Sequence, residues 1–208
     1  MMTSIVLAGG RSMRMGSCKA LETICGKSLL ERVIERLKPI SSQILIVTSQ
    51  EQYDLLASFE TEVVVDIYPG KGPLGGIYTG LLASESQYSI VVACDMPFLN
   101  VELLHYMAEL SLGFDAVIPR KGKGKIEPLH AIYSRNCLTT IKTELEHNHL
   151  KIYQALDRLR IRYIERAECQ RFDPQLLSFF NTNSPSDLKQ ATGLANYPLH
   201  CPPHNTSQ

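Results

Sequence analysis

An apolar run at 4–8 empties into the paired glycines Gly9-Gly10, and Arg11, Arg14, Gly16 and Lys19 follow at once. A short run of this kind reads as a buried strand that hands its chain to a glycine-rich, cationic turn. Glycine admits φ > 0 and lets a ligand approach the main chain closely. Consecutive N–H groups in such a turn form an anion-binding concavity, and Arg and Lys add charge suited to phosphate oxygens. The guest this predicts is a di- or triphosphate. Two commoner phosphate loops are excluded. Gly9 and Gly10 are adjacent, which breaks G-x-G-x-x-G. Gly26-Lys27-Ser28 resembles the end of a P-loop, but Leu21 stands where its first glycine belongs. Those three residues fit a turn into a helix, with Ser28 and Glu31 as a capping box.

The pattern continues along the chain. Apolar, β-branched runs at 4–8, 44–48, 62–65, 90–93 and 115–118 alternate with helical spacing at 29–37, 51–59, 74–83 and 101–110. Continuous apolar strands alternating with helices predict a mostly parallel sheet covered on both faces, a Rossmann-like, doubly wound α/β fold. In such sheets ligands bind beyond the carboxyl ends of the strands. There the strands deliver Gly9-Gly10, Thr48, Asp66 and Asp95 to one edge.

After that the periodicity weakens. A basic loop is expected at 119–128, a strand at 129–134, helices at 137–145 and 151–159, and an extended piece at 161–164. Ser184-Pro185 starts a last helix, with proline in its first turn. A single domain is expected over 1–192, followed by a loosely ordered, proline-containing tail at 193–208.

Composition narrows the partners. The 208 residues carry 21 basic and 21 acidic side chains, so no global field favours nucleic acid or a membrane surface. No run is long enough to span a bilayer, and the N-terminus lacks the layout of a signal peptide, so the expected compartment is the cytoplasm. The six cysteines show no C-x-x-C spacing and read as free thiols.

Three constellations carry the chemistry. The Gly9–Lys19 loop is the first. Pro69-Gly70-Lys71-Gly72-Pro73-Leu74-Gly75-Gly76, with Gly75 and Gly76 opening a helical pattern, is the second. Its glycines cost helix stability, roughly 1 kcal/mol each against alanine, which close approach of a flat ligand would explain. The plain alternative is a glycine-rich surface loop. In the third, Asp95 follows a buried strand and precedes Met96-Pro97. A carboxylate so placed suits Mg²⁺, which takes one or two carboxylates plus substrate phosphates. It can equally cap the next segment. Asp66 also closes a strand, where it can accept from a base or ribose, or stand behind the metal's direct ligands. Asn183 can offer a neutral oxygen to a metal, or with Ser184 cap the last helix.

These residues resemble a known family. Leu7-Ala8-Gly9-Gly10, Ser12, Arg14-Met15-Gly16, Lys19 and Leu21 are similar to the nucleotidyltransferase signature. Asp66, Gly72 to Gly76, Cys94-Asp95-Met96-Pro97-Phe98, Glu127-Pro128-Leu129 and Asn181-Thr182-Asn183-Ser184-Pro185 extend the match. Together they resemble the molybdenum cofactor guanylyltransferases. The resemblance implies a nucleotide-diphospho-sugar-transferase-like fold, GTP and molybdopterin as substrates, and Mg²⁺ as cofactor. It leaves room for transient contact with cofactor-delivering or acceptor proteins. It implies nucleotide contacts at Leu7, Ala8, Gly9, Gly10, Lys19, Asp66, Gly75 and Asp95, with the metal on Asp95. Arg14, Lys19 and Asp95 take catalytic roles. Asn181 and Asn183 fall on the pterin side or supply a second metal ligand. Gly10 favours guanylyl over cytidylyl transfer. Thr48 stands where relatives carry asparagine, so that base contact does not carry over. The rival readings are a nucleotidyltransferase that uses CTP or another phosphorylated acceptor, and a non-catalytic nucleotide-binding regulator.

Overall fold

A computed structural model describes residues 2–9, 18–122 and 124–196. Its centre is β1 (Met2–Leu7), whose Ile5 and Val6 are wholly buried because each lies under a different layer. Side chains alternate along a strand, so a strand covered on both faces must be apolar at every position. That accounts for the unbroken run that opens the sequence.

The remaining elements follow in chain order. A hairpin of β2 (Thr23–Ile24) and β3 (Lys27–Ser28) leads into α1 (Leu29–Leu37), then β4 (Ser41–Thr48), α2 (Tyr53–Leu56), β5 (Glu62–Val65) and α3 (Pro73–Ala83). Next come β6 (Tyr88–Ala93), α4 (Val101–Glu109), β7 (Ala116–Gly122), β8 (Lys125–Ile126) and β9 (His130–Ser134). The chain closes with α5 (Cys137–Glu146), α6 (Ile152–Leu156), β10 (Ile161–Ile164), α7 (Arg166–Cys169) and α8 (Pro185–Ala195).

The main sheet has the order β10-β7-β9-β6-β1-β4-β5, with β8 paired to β7. β6, β1, β4 and β5 run parallel, as do β7 and β10, while β9 lies antiparallel between β6 and β7. One face packs Val6, Ile46, Val92 and Ile132 under α1 and α4, and the other packs Ile5, Leu7, Val91 and Ala131 under α3 and α5. The doubly wound expectation holds, with one antiparallel strand inserted.

Local chemistry explains the boundaries. Ser28 caps α1 and Glu31 reaches back to the Ser28 N–H at 2.6 Å, closing the capping box. Ser184 accepts from Asp187 N–H at 3.2 Å and starts α8. That helix runs to the buried Ala195, past residue 192, because Ala191 and Ala195 pack on Ile24, Leu29 and Phe98. Residues 197–208, most of the expected tail, lie outside the described residues.

Other expectations change too, and the helix expected at 151–159 shortens to the five-residue α6. The helix expected at 51–59 is a short 3₁₀ turn followed by the four-residue α2. The basic loop at 119–128 is largely a hairpin: β7 continues through Arg120 and Lys121 and pairs with β8. Gly122 and Gly124 stand at φ 109° and 73°, so the glycines read as loop residues serve the turn.

Candidate active site

Parallel strands bring their ends to one edge, and main-chain bonds just past the strands hold them level. Ala8 N–H donates to Val47 O at 2.8 Å, Cys94 N–H to Leu7 O at 3.1 Å, and Asp66 N–H to Thr48 O at 2.8 Å. Leu7, Ala8, Gly9, Asp66 and Asp95 therefore share the C-terminal edge, as the sequence predicts. Gly10 and Arg14 lie outside the described residues, with the rest of 10–17.

At the middle of this edge Lys19 forms an ion pair with Asp95 Oδ2, both side chains largely buried. Lys19 Nζ also donates to Asn183 Oδ1 at 2.9 Å. The turn that carries Asn183 is itself anchored to Asp95, whose main-chain carbonyl accepts from Thr182 N–H at 3.0 Å and from Thr182 Oγ1 at 3.2 Å. Lys19, Asp95, Thr182 and Asn183 thus close a ring of contacts joining three distant stretches of chain. Asn181 points its amide elsewhere, donating to Phe179 O at 3.3 Å.

Asp66 sits one side of this ring. Its Oδ1 accepts from Tyr68 N–H and from Thr79 Oγ1, each at 2.9 Å. The glycines of α3 find their main constraint within the chain. A Cβ on Gly75 would lie 2.9 Å from Tyr68 O and 3.3 Å from Asp66 Oδ2, and one on Gly76 would lie 3.2 Å from Leu7 Cδ2. Close approach is required, as expected, but what approaches is the Asp66–Tyr68 turn and β1. The flat ligand proposed from sequence is not needed to explain these glycines.

The donors suit a hard divalent cation. Asp95 Oδ1 is buried and has no hydrogen-bond partner among the described residues, an orphaned carboxylate oxygen on the residue that pairs with Lys19. Such an oxygen is costly unless something satisfies it. No group of three or more His, Cys, Asp or Glu suited to a metal occurs among the described residues. An ion on Asp95 would therefore complete its shell with water and substrate oxygens, the usual habit of Mg²⁺. Cys94 offers no nucleophile. Burial, and after it the charge of Asp95, pushes its thiol up to about 12, so it stays protonated.

One neighbour escaped the sequence reading, as did the partner of a second. His130 is fully buried, its ring 5.0 Å from that of Phe179, and neither ring nitrogen has a partner among the described residues. Burial, helped by the charge of Lys121, holds its pKa down to about 3, so the imidazole is neutral. Glu127 is 12% exposed and ion-paired to Lys121. The Glu127-Pro128-Leu129 motif was visible, but the partnership with Lys121 depends on the β7–β8 hairpin.

Comparison with known proteins agrees with this geometry. The family profile described as MobA-like NTP transferase domain matches residues 4–162. A probable molybdenum cofactor guanylyltransferase of Peptoclostridium acidaminophilum is 38% identical over 195 residues, 90% of this chain and 87% of the relative. The molybdenum cofactor guanylyltransferase of Desulfosudis oleivorans is 33% identical over 191 residues, 91% and 93% of the two chains. The crystal structure of molybdopterin-guanine dinucleotide biosynthesis protein A from Archaeoglobus fulgidus superposes with a TM-score of 0.82 at 32% identity, covering 93% of this chain and 98% of that one. With a family profile spanning most of the chain and relatives aligned nearly end to end, this chain belongs to the MobA-like NTP transferases.

Proposed function

We propose that this chain is a molybdenum cofactor guanylyltransferase, which transfers GMP from GTP to molybdopterin and releases pyrophosphate. The observation that carries the reading is the Lys19–Asp95 pair with its orphaned Asp95 Oδ1, set where β1 and β6 end side by side. Family membership and the printed names of the relatives supply the substrate class.

The chemistry needs no protein nucleophile. A terminal phosphate oxygen of molybdopterin attacks the α-phosphorus of GTP. The new P–O bond forms as the bond to pyrophosphate breaks, and the electron pair leaves with pyrophosphate. Lys19 neutralises charge that builds on the phosphates. Arg14 is assigned the same task. Gly9 and Gly10 present main-chain groups to the nucleotide, and Asp66 and Gly75 flank the nucleoside. Asp95 would hold Mg²⁺, which supplies Lewis-acid neutralisation at the α-phosphate and the leaving group. Asn183 holds the Lys19 ammonium beside Asp95. Both substrates must be held in line, and that positioning is most of the work.

A thermal-shift panel with GTP, CTP, ATP and UTP, each with Mg²⁺, tests the assignment. GTP should stabilise the protein most, because a ligand that binds only the native state raises its stability. A preference for CTP would instead favour cytidylyl transfer. The sequence suits a soluble location such as the cytoplasm, and among the described residues no helix is long and apolar enough to cross a membrane.

A further inference from the structure

The acceptor's phosphate must reach the Lys19–Asp95 end of the edge, which leaves open where its pterin ring goes. β9 and then β7 lie beyond β6, with neighbouring strands about 4.8 Å apart. Asp66 lies on the other side, past β1 and β4. The β9 side is bound tightly to the site: Ala93 N–H donates to Leu129 O at 3.1 Å. Two residues earlier, Glu127 N–H donates to Pro119 O of β7 at 2.9 Å. Glu127 therefore stands one to two strand spacings, about 5–10 Å, from the end of β6.

The carboxylates along this edge differ in what they have left to offer. Asp66 accepts from Tyr68 and Thr79 through Oδ1, and Asp95 holds Lys19 through Oδ2 while its free Oδ1 is the oxygen assigned to the cation. Glu165 caps α7, pairs with Arg120 and is 56% exposed. Glu127 is mostly buried, and the contact it makes is with Lys121 Nζ through Oε2. Lys121 remains 33% exposed, so the pair is reachable from solvent.

The order of groups in this pair is specific. Two carboxylate oxygens followed by an ammonium present acceptor, acceptor, donor. A 2-amino-4-oxopyrimidine edge presents the complement: an amino donor, a ring N–H donor and a carbonyl acceptor. Carboxylates take two parallel N–H donors well, and charged hydrogen bonds are the strong ones. Guanine and pterin share this edge. The position beyond β6 from Asp66 assigns it to the acceptor.

We propose that the Lys121–Glu127 pair reads the 2-amino-4-oxopyrimidine edge of the pterin acceptor, an inference that rests on the guanylyltransferase reading above. The test measures the KM for molybdopterin and for GTP separately in wild type, Glu127→Gln and Lys121→Met. Glu127→Gln turns one acceptor into a donor facing a donor, and should raise the molybdopterin KM about tenfold or more. Lys121→Met should raise it less, and the GTP KM should hold in both. A rise in the GTP KM alone would assign the pair to guanine and overturn the proposal, as would two unchanged KM values. A second measurement does not depend on turnover. Ligand-observed NMR should detect 6-hydroxymethylpterin on the wild type and lose it on Glu127→Gln. The 2-oxo analogue 6-hydroxymethyllumazine should not bind the wild type, because its second carbonyl would face a carboxylate oxygen. If wild type fails to turn over GTP with molybdopterin while pterin binding still depends on Glu127, the function assignment fails and the pterin site stands. Equal pterin binding to both proteins sinks the site.

Discussion

Thr182 donates both its main-chain N–H and its hydroxyl to the main-chain carbonyl of Asp95, at 3.0 and 3.2 Å. Thr182 is 1% exposed, so both bonds are shielded from water. The hydroxyl bond ties the turn before α8 to the carboxylate residue at the end of β6, and the next residue, Asn183, holds Lys19. Removing the hydroxyl while keeping the β-branched shape isolates that tie. Thr182→Val should lower kcat about tenfold and raise the Mg²⁺ concentration needed for half-maximal rate, in line with a lost buried hydrogen bond of about 1–1.5 kcal/mol. Thr182→Ser should restore most of both. Steady-state kinetics across a Mg²⁺ titration checks this; equal rates in all three proteins would remove Thr182 from the account.

Asp95 is expected to matter for turnover far more than for folding. Asp95→Ala leaves Lys19 its bond to Asn183, so the protein should stay folded with a melting temperature only a few degrees lower. Its kcat should fall by about a thousandfold or more, as when a main electrostatic contributor is removed. Circular dichroism melts and pyrophosphate release on one preparation measure both.

His130 makes stability fall with acid earlier than the carboxylates do. Its folded pKa is about 3 and its unfolded value about 6.5, so between those limits the unfolded chain binds the extra proton. Stability is therefore full above pH 6.5 and should drop by about 1.4 kcal/mol per pH unit below it, levelling off near pH 3. Glu31, Glu168 and Asp187, whose pKa values are lowered, lose their stabilising contributions only further down, below the ordinary carboxylate range. Between pH 6.5 and 5 the slope should shrink in His130→Leu, as read by denaturant unfolding at each pH.

Two helical glycines should respond to alanine with opposite signs. A Cβ on Gly80 would stand 2.4 Å from Ile5 Cγ2, whereas one on Gly193 meets nothing within 4 Å. Gly80→Ala should cost about 1–3 kcal/mol through overpacking of α3 on β1, despite the gain in helix propensity. Gly193→Ala should stabilise by up to about 1 kcal/mol. Urea midpoints of the two variants decide.

Much of this was legible in the sequence because parallel sheets follow simple rules. Val6 and Ile5 face opposite layers, so β1 had to be apolar throughout, and its end had to share an edge with Asp66 and Asp95. Lys19 and Asp95 were candidates by residue type and position, and the family resemblance gave them their roles. The rest depends on pairings that no local pattern encodes. The antiparallel β9 inserts between β6 and β7 without any signal in its own residues. Thr182 acts through the carbonyl of Asp95, a group every residue carries. Gly75 is required by Tyr68 O, a main-chain atom seven residues away. Lys121 and Glu127 read as a loop charge and a motif residue until the hairpin joins them.

The central claim is guanylyl transfer to molybdopterin, and product formation tests it most directly. Purified protein is incubated with Mg²⁺, molybdopterin and either GTP or CTP, and the dinucleotide is quantified by mass-resolved chromatography alongside pyrophosphate. Guanine dinucleotide and pyrophosphate should appear in equal amounts with GTP, with little product from CTP and none from Asp95→Ala. Dinucleotide from CTP in preference to GTP, or undiminished product from Asp95→Ala, would contradict the account.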